Sequence, residues 1–323
     1  MAHTTVSRLD EPQPAEVRAA TRPLFVSLLL SLRPSQWTKN LFVFGALLFG
    51  QRGTQPAFLD PRAIGQASAA FGIFCALSGV VYLVNDVADR ESDRLHPLKR
   101  MRPIASGAVS PALAITTAFV LGVAGLGLAY ALRPTFALVA ATYVALQACY
   151  SGPLKRMVII DVLTIAIGFV LRAAAGAVAI DVPISHWLLI LIMLLALFLA
   201  LSKRRHELVL LADGASSHRR ILREYSPYLL DQMIGVVTAS TLVSYVIYSV
   251  SPETVQKFHT DWLGLTLIFP LYGIFRYLYL VHQKEGGGSP SDMLQNDRPL
   301  LACVALWALS VAAIIYGTSL LNG

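Results

Sequence analysis

The chain has 323 residues, of which 55% are hydrophobic and only 14% charged, with a formal net charge of +7. A soluble globular domain carries about 25% charged residues, so a soluble enzyme is excluded and a polytopic membrane protein is implied. The mean hydropathy of +0.61 agrees, and the three cysteines (Cys75, Cys149, Cys303) all sit in apolar stretches, at spacings that suit packing rather than metal or disulfide chemistry.

Residues 1–30 are read as a cytosolic tail. They open with a polar, Pro- and Ala-rich stretch and lack the early apolar core of a signal peptide. Residues 31–323 then form one transmembrane domain. A bilayer asks for about 20 apolar residues per helix, and this spacing predicts nine spans, at 35–51, 64–86, 110–131, 134–151, 157–180, 185–203, 228–250, 260–282 and 299–320. Pro61, Pro111, Pro134, Pro153, Pro183, Pro227 and Pro252 fall near the joints, where chain breakers belong. With the N-terminus inside, most loop cations gather on one face, among them Arg90, Lys99, Arg102, Lys155, Lys203, Arg219, Arg220 and Arg223. The other face keeps only Arg52, Arg62, Arg133 and Lys257.

The second span ends in NDVADRESDRLHPLKRMRP, Asn85 to Pro103. At 100° per residue, with Asp86 at 0°, Asp89 falls at about 300°, Asp93 at about 340° and Asn85 at about 260°. These oxygen-bearing side chains share one helix face, and Glu91 points away from it. Three carboxylates so close repel one another unless a cation sits between them. Mg²⁺ takes oxygen ligands and is commonly shared between one or two carboxylates and substrate phosphates. The face therefore suits metal-bridged diphosphate binding at the cytosolic surface. The plainer alternative is a solvated helix end. Arg90, Lys99, Arg100 and Arg102 follow, and guanidinium groups meet phosphate oxygens bidentately.

A second polar stretch, YSGPLKRMVIIDV, runs from Tyr150 to Val162. Gly152 and Pro153 make a turn, Lys155 follows it, and Asp161 enters an apolar helix that also carries Arg172. Eleven residues separate Asp161 from Arg172, about 16 Å of rise, so the two share a face but cannot pair. Ions within the membrane should face the bundle interior or a wet cavity; satisfaction by neighbouring helices is the alternative. Further along, the NDRPL stretch places Asp297 as the cap of the last span.

N-D-x-x-D-x-x-x-D resembles the first aspartate-rich motif of the UbiA-type membrane prenyltransferases, and the resemblance extends from Arg33 to the C-terminus. Members of that superfamily usually carry two or three acids at a second motif, where YSGPLKRMVIID has one. This departure, with LRPSQWTKN (Leu32 to Asn40), DRLHPLKRMRPIASG and NDRPL, is similar to the branch containing decaprenyl-phosphate phosphoribosyltransferases. The resemblance implies an all-α polytopic fold, a UbiA-like bundle of about nine helices, in a bacterial inner membrane with its site on the cytosolic face. It implies Mg²⁺ on Asn85, Asp86, Asp89 and Asp93, with Asp86, Asp89, Asp93 and Asp161 catalytic. Lys39, Arg90, Lys99, Arg102 and Lys155 would bind phosphates, and Tyr150 with Asp161 would shape the ribose side. The implied reaction moves 5-phosphoribosyl from phosphoribosyl diphosphate to a polyprenyl phosphate. The lipid phosphate is already ionised near neutral pH, so no strong base is needed, in keeping with histidines that show no partner spacing. Nothing in the sequence calls for nucleic acid, and a homo-oligomer is compatible with it. Two other readings stay open: prenyl transfer from a prenyl diphosphate to an aromatic acceptor, and transport of a lipid phosphate or anion.

Overall fold

A computed structural model describes residues 23–52, 55–97, 99–212, 224–284 and 290–321. Arg219, Arg220 and Arg223, assigned above to the inner face, lie outside the described residues. The elements run in the order α1 (Leu24–Ser31), a 3-10 segment (Pro34–Phe44), α2 (Gly45–Phe49), a two-residue antiparallel ribbon of β1 (Gln51–Arg52) with β2 (Gln55–Pro56), then α3 (Pro61–Ala88), α4 (Arg90–Leu95), α5 (Pro111–Leu132), α6 (Pro134–Ser151) and α7 (Ile160–Ile180). After them come α8 (His186–Ala212), α9 (Pro227–Val250), α10 (Pro252–Phe258), α11 (Ile268–Gln283), α12 (Pro290–Asn296) and α13 (Arg298–Leu321).

Five of the seven prolines that read as breakers turn out to be α-helix starts; Pro153 and Pro183 lie in the connections instead. Pro61, Pro111, Pro227 and Pro252 each occupy the first helical position, where the missing N–H is not needed. The residue before each accepts a capping hydrogen bond: Asp60 from the Arg62 N–H at 2.8 Å, Ser110 from Leu113 at 3.2 Å, Ser226 from Leu229 at 3.1 Å and Ser251 from Thr254 at 3.3 Å. Asp297 caps α13 as the sequence implies, accepting from the Leu300 N–H at 2.9 Å, and also pairs with Arg276.

The fold is all-α and membrane-embedded. Among the described residues seven helical stretches are long and apolar enough to cross a membrane: 61–88, 111–132, 160–180, 186–209, 227–250, 262–283 and 298–317. The other two expected spans are helical but fall short. α6 has 18 residues and is interrupted by Thr142, Tyr143, Gln147 and Ser151. The stretch expected at 35–51 winds as a 3-10 segment and then the short α2, because Pro34, five polar residues and Gly45 deny it a continuous apolar α-helix. At the other end of the chain's first boundary, residues 24–30, taken above as tail, belong to α1, whose Leu28 packs beside Leu83 and Val109.

α7 is the shared wall of the bundle. Its Ala175 and Ala179 pack with Val43, Phe74, Leu77, Phe136 and Tyr143 on one side. Its Val162 and Ala166 pack with Leu197, Phe198, Leu201 and Leu230 on the other. Small residues let membrane helices approach closely, and Gly176 is the extreme case. A Cβ there would lie 1.9 Å from the carbonyl oxygen of Val43, so the 3-10 segment can press against α7 only because Gly176 has none.

Candidate active site

α3 gives way to α4 through a single turn residue, Asp89, with φ −91° and ψ 6°. The helical hydrogen bonds run through it: the Asp89 N–H donates to Asn85 O and the Asp93 N–H to Asp89 O, both at 2.8 Å. The one-face geometry expected of a continuous helix is thus nearly kept. Asp86 and Asp93 are buried and Glu91 is exposed, paired with Arg94.

Asp86 and Asp93 converge on one cation. Arg102 Nη1 lies 3.2 Å from Asp86 Oδ1 and 2.6 Å from Asp93 Oδ2. Arg33 donates to the same Asp86 oxygen and stacks over the Tyr82 ring at 4.7 Å. The loop carrying Arg102 is held to α4 by Arg94, which donates to Ala105 O at 3.1 Å. Asp89 is half-exposed, with Lys155 Nζ 4.0 Å from its Oδ1. That contact joins the two polar stretches read separately in the sequence. Arg90 keeps a buried Nε with no hydrogen-bond partner among the described residues. Asn85 is half-buried. Lys99 lies in a short 3-10 turn (Lys99–Met101), and its side chain makes no ion pair among the described residues.

The donor set fits Mg²⁺ in a particular way. Carboxylate oxygens are the hard donors it prefers, and two of them already share one cationic group. No cluster of three or more His, Cys, Asp or Glu among the described residues could hold a metal alone. An ion here would therefore use carboxylates together with phosphate oxygens of a substrate, the usual arrangement for Mg²⁺.

A second group of cations lies beside the first. Lys39 is half-buried, within electrostatic range of Lys203, Arg172 and Arg33. It makes no ion pair with a carboxylate among the described residues. Arg172 is buried and held by neutral groups: Nε to Asn40 Oδ1 at 2.8 Å, Nη1 to Gly168 O at 2.8 Å and Nη2 to the Tyr143 hydroxyl at 2.7 Å.

Asp161 and Arg172 do not pair, in keeping with the rise between them. Asp161 is fully buried and engages Arg204 Nε at 2.9 Å through Oδ2 and the Tyr225 hydroxyl at 2.9 Å through Oδ1. Both its oxygens hold protein groups, whereas the sequence reading has Asp161 shaping the ribose side of a substrate. Arg204 also reaches Glu207 at 2.7 Å. Tyr150, at the end of α6, is within electrostatic range of Arg204. Tyr225 also accepts from the Ile159 N–H at 2.7 Å, and burial, with help from Asp161, pushes its hydroxyl pKa up to about 12. It is therefore a proton donor to Asp161 throughout the neutral range.

Sequence reasoning missed Arg33, Lys203, Arg204, Glu207 and Tyr225. The KRRHE run (Lys203 to Glu207) enters the sequence reading only through Lys203, as a cation of the inner face. Its residues sit on α8, which continues to Ala212, well past the expected end at 203. A cavity of about 550 Å³ lies elsewhere. It is lined by Gln51, Arg52, Asp181, Glu253 and Lys257, at the far end of α3 from Asp86.

The molecule is a helical bundle that sits in the membrane and gathers buried carboxylates and cations at one end of its longest helix. The chain belongs to the UbiA prenyltransferase family, which matches residues 40–296, and it is a transferase of that family. It is 33% identical over 316 residues to the decaprenyl-phosphate phosphoribosyltransferase of Mycolicibacterium smegmatis, covering 95% of this chain and 97% of that one. To the enzyme of the same name from Corynebacterium glutamicum it is 31% identical over 301 residues, 93% and 90% of the two chains. In fold it is similar to a UbiA homolog from Archaeoglobus fulgidus, solved bound to GPP and Mg²⁺. The TM-score is 0.68 at 18% identity, over 90% of this chain and 99% of that one.

Proposed function

We propose that this transferase moves 5-phosphoribosyl from phosphoribosyl diphosphate to a polyprenyl phosphate at the cytosolic face of a bacterial inner membrane, with Mg²⁺. The observation that carries the reading is the second cation group. Arg33 and Arg102 already neutralise Asp86 and Asp93, yet Lys39, with Lys203 and Arg172 nearby, remains without a carboxylate partner among the described residues. A prenyl diphosphate presents one anionic group and then hydrocarbon. Phosphoribosyl diphosphate and a lipid phosphate together present three. The names of relatives similar over nearly the whole chain support the same reading.

In this mechanism Asn85, Asp86, Asp89 and Asp93 would hold the ion beside the diphosphate. Bound there, Mg²⁺ supplies charge stabilisation for the departing pyrophosphate oxygens. Arg90 and Lys155 bind phosphate oxygens directly, and Arg102 swings from carboxylate to phosphate as the anions arrive. Lys39 and Lys99 take the remaining phosphate charge. The C1–oxygen bond to pyrophosphate breaks, an oxocarbenium-like C1 develops, and the lipid phosphate oxygen forms the new bond to C1. Fixed cations around developing negative charge do most of the work. Tyr150 lines the ribose side, and Asp161 acts on that side only through Arg204.

Calorimetric titration of the purified protein with Mg²⁺ tests the donor. Phosphoribosyl diphosphate should bind without lipid. Its 5-dephospho analogue should bind at least about tenfold more weakly, since each charge-assisted bond contributes roughly 1.5–3 kcal/mol. Equal affinity for the two would overturn the assignment. Tight binding of a prenyl diphosphate with neither of them bound would instead favour prenyl transfer to an aromatic acceptor.

A further inference from the structure

Between α6 and α7 the chain makes a tight return. Gly152 and Pro153 turn it, Leu154–Arg156 form a single 3-10 turn, and Met157 to Ile159 lead into α7. The last step is unusual. Ile159 has φ 69° and ψ −44°, a positive φ at a β-branched residue. Such residues are genuine outliers there, and the conformation costs of order 1–3 kcal/mol unless its surroundings over-determine it. Local preference therefore opposes the turn.

Something distant holds it. The Ile159 N–H, which has no helical partner at this position, donates to the Tyr225 hydroxyl at 2.7 Å. Tyr225 lies 66 residues away, just before α9, and its ring is buried. The same hydroxyl donates to Asp161 at 2.9 Å, and Asp161 is anchored in turn by Arg204. One oxygen thus ties the strained residue to the buried ion pair at the head of α7. Nothing in the Ile159 side chain replaces this tie, because it is exposed to 44%.

We propose that Tyr225 is a positioning residue for the Lys155 loop: its hydroxyl fixes Ile159 at positive φ, and that bend turns Lys155 back toward Asp89. The role of Lys155 at the donor rests on the function proposed above; the hold of Tyr225 on the loop does not. Without the hydroxyl, Ile159 relaxes to negative φ, the direction of the four residues before it changes, and the 4.0 Å approach of Lys155 to Asp89 is lost.

Two readouts on full-length protein in detergent separate these claims. The first is tryptic cleavage of the Arg156–Met157 bond, followed by peptide mapping. Arg156 and Met157 are exposed, so cleavage reports how often the loop opens. Tyr225→Phe keeps the ring and should speed this cleavage about tenfold, the weight of one or two lost hydrogen bonds. Adding Ile159→Gly, which accepts positive φ freely, should return the rate to within about threefold of the parent. The second readout is the kinetics with phosphoribosyl diphosphate. Tyr225→Phe should raise the donor KM with little change in kcat, and Ile159→Gly should lower it again. Unchanged cleavage in Tyr225→Phe, or cleavage that Ile159→Gly does not rescue, overturns the proposal. Cleavage that rises and is rescued while KM stays fixed supports the hold of Tyr225, and then the donor role of Lys155 is what fails. If Tyr225→Phe cannot be recovered folded, Ile159→Gly alone decides: it should leave Tm and cleavage at or better than parental values, and a lower Tm with faster cleavage overturns the proposal.

Discussion

Arg204 Nε stands 2.9 Å from Asp161 Oδ2 with both side chains buried, 43 residues apart in sequence and on different helices. The pair joins α7 to α8 inside the bundle, and Glu207 one turn further on shares the guanidinium. Removing one member of a buried pair leaves the other charge uncompensated, at a cost of about 3–5 kcal/mol. Asp161→Asn should therefore act chiefly on stability. We expect a clear fall in Tm in detergent, with Glu207 keeping the loss near the lower end, about 3 kcal/mol. The donor KM of protein that remains folded should stay within a few-fold of the parent. An unchanged Tm together with lost turnover would return Asp161 to the reacting centre.

Gly176 gives a second stability test. Its absent Cβ would sit 1.9 Å from Val43 O, and backbone on the far side cannot yield cheaply. Gly176→Ala should cost about 3 kcal/mol, the upper end of ordinary overpacking. Gly65→Ala in α3 is the matched control, because a Cβ there meets nothing within 4 Å. Helix propensity alone should make that change neutral or slightly stabilising. Thermal unfolding of the two variants side by side settles the comparison, and equal Tm values would mean that the 3-10 segment does not depend on close approach to α7.

The aspartate face was legible because it needs only the 100° advance of one helix, and the turn at Asp89 barely disturbs that advance. The joints between helices were legible through Pro, a local signal, but the capping residues before four of those prolines were not part of the reading. What could not be read were partners set by packing. Arg33 reaches Asp86 across 53 residues, and nothing local to Arg33 announces it. The KRRHE run is illegible for a different reason: hydropathy ends at Ser202, but Lys, Arg and Glu are good helix formers, so α8 continues and carries Arg204 inward while Lys203 stays exposed. Ile159 was illegible on principle, since an isoleucine predicts negative φ and only Tyr225 overrides it. The first expected span failed because apolar content was counted without regard to Pro34 and the polar residues after it.

Asp89 carries the metal part of the reading. It is the most exposed of the three motif aspartates, and among the described residues its one ion pair is with Lys155, at 4.0 Å. It is therefore free to exchange partners when an ion and a diphosphate arrive. Metal assistance to a leaving group is worth several kcal/mol, and every 1.36 kcal/mol is tenfold in rate. Asp89→Asn should lose about a hundredfold or more in turnover at saturating Mg²⁺, with Tm unchanged because no buried ion pair is broken. Turnover within about threefold of the parent would remove Asp89 from the site.

Lys155 decides whether the second polar stretch belongs to the same site. It lies on the loop that α6 and α7 bring up beside the end of α3, and its ammonium is the only described bridge between that loop and the aspartate motif. A lysine placed there merely to set topology would tolerate any substitution that leaves the inner face positive. A lysine that binds donor phosphate would not. Lys155→Ala should raise the donor KM by roughly tenfold to a hundredfold, matching one charge-assisted hydrogen bond of about 1.5–3 kcal/mol. Lys155→Arg restores the charge but presents a planar fork in place of a compact ammonium, so the rescue should be partial. The KM for the lipid acceptor is the internal control and should move little in either variant. Initial rates over a donor titration at fixed Mg²⁺ supply all three numbers. A donor KM that is unchanged in both variants would leave Lys155 as one more positive charge on the inner face, and Arg90, whose Nε has no hydrogen-bond partner among the described residues, would become the residue to test next.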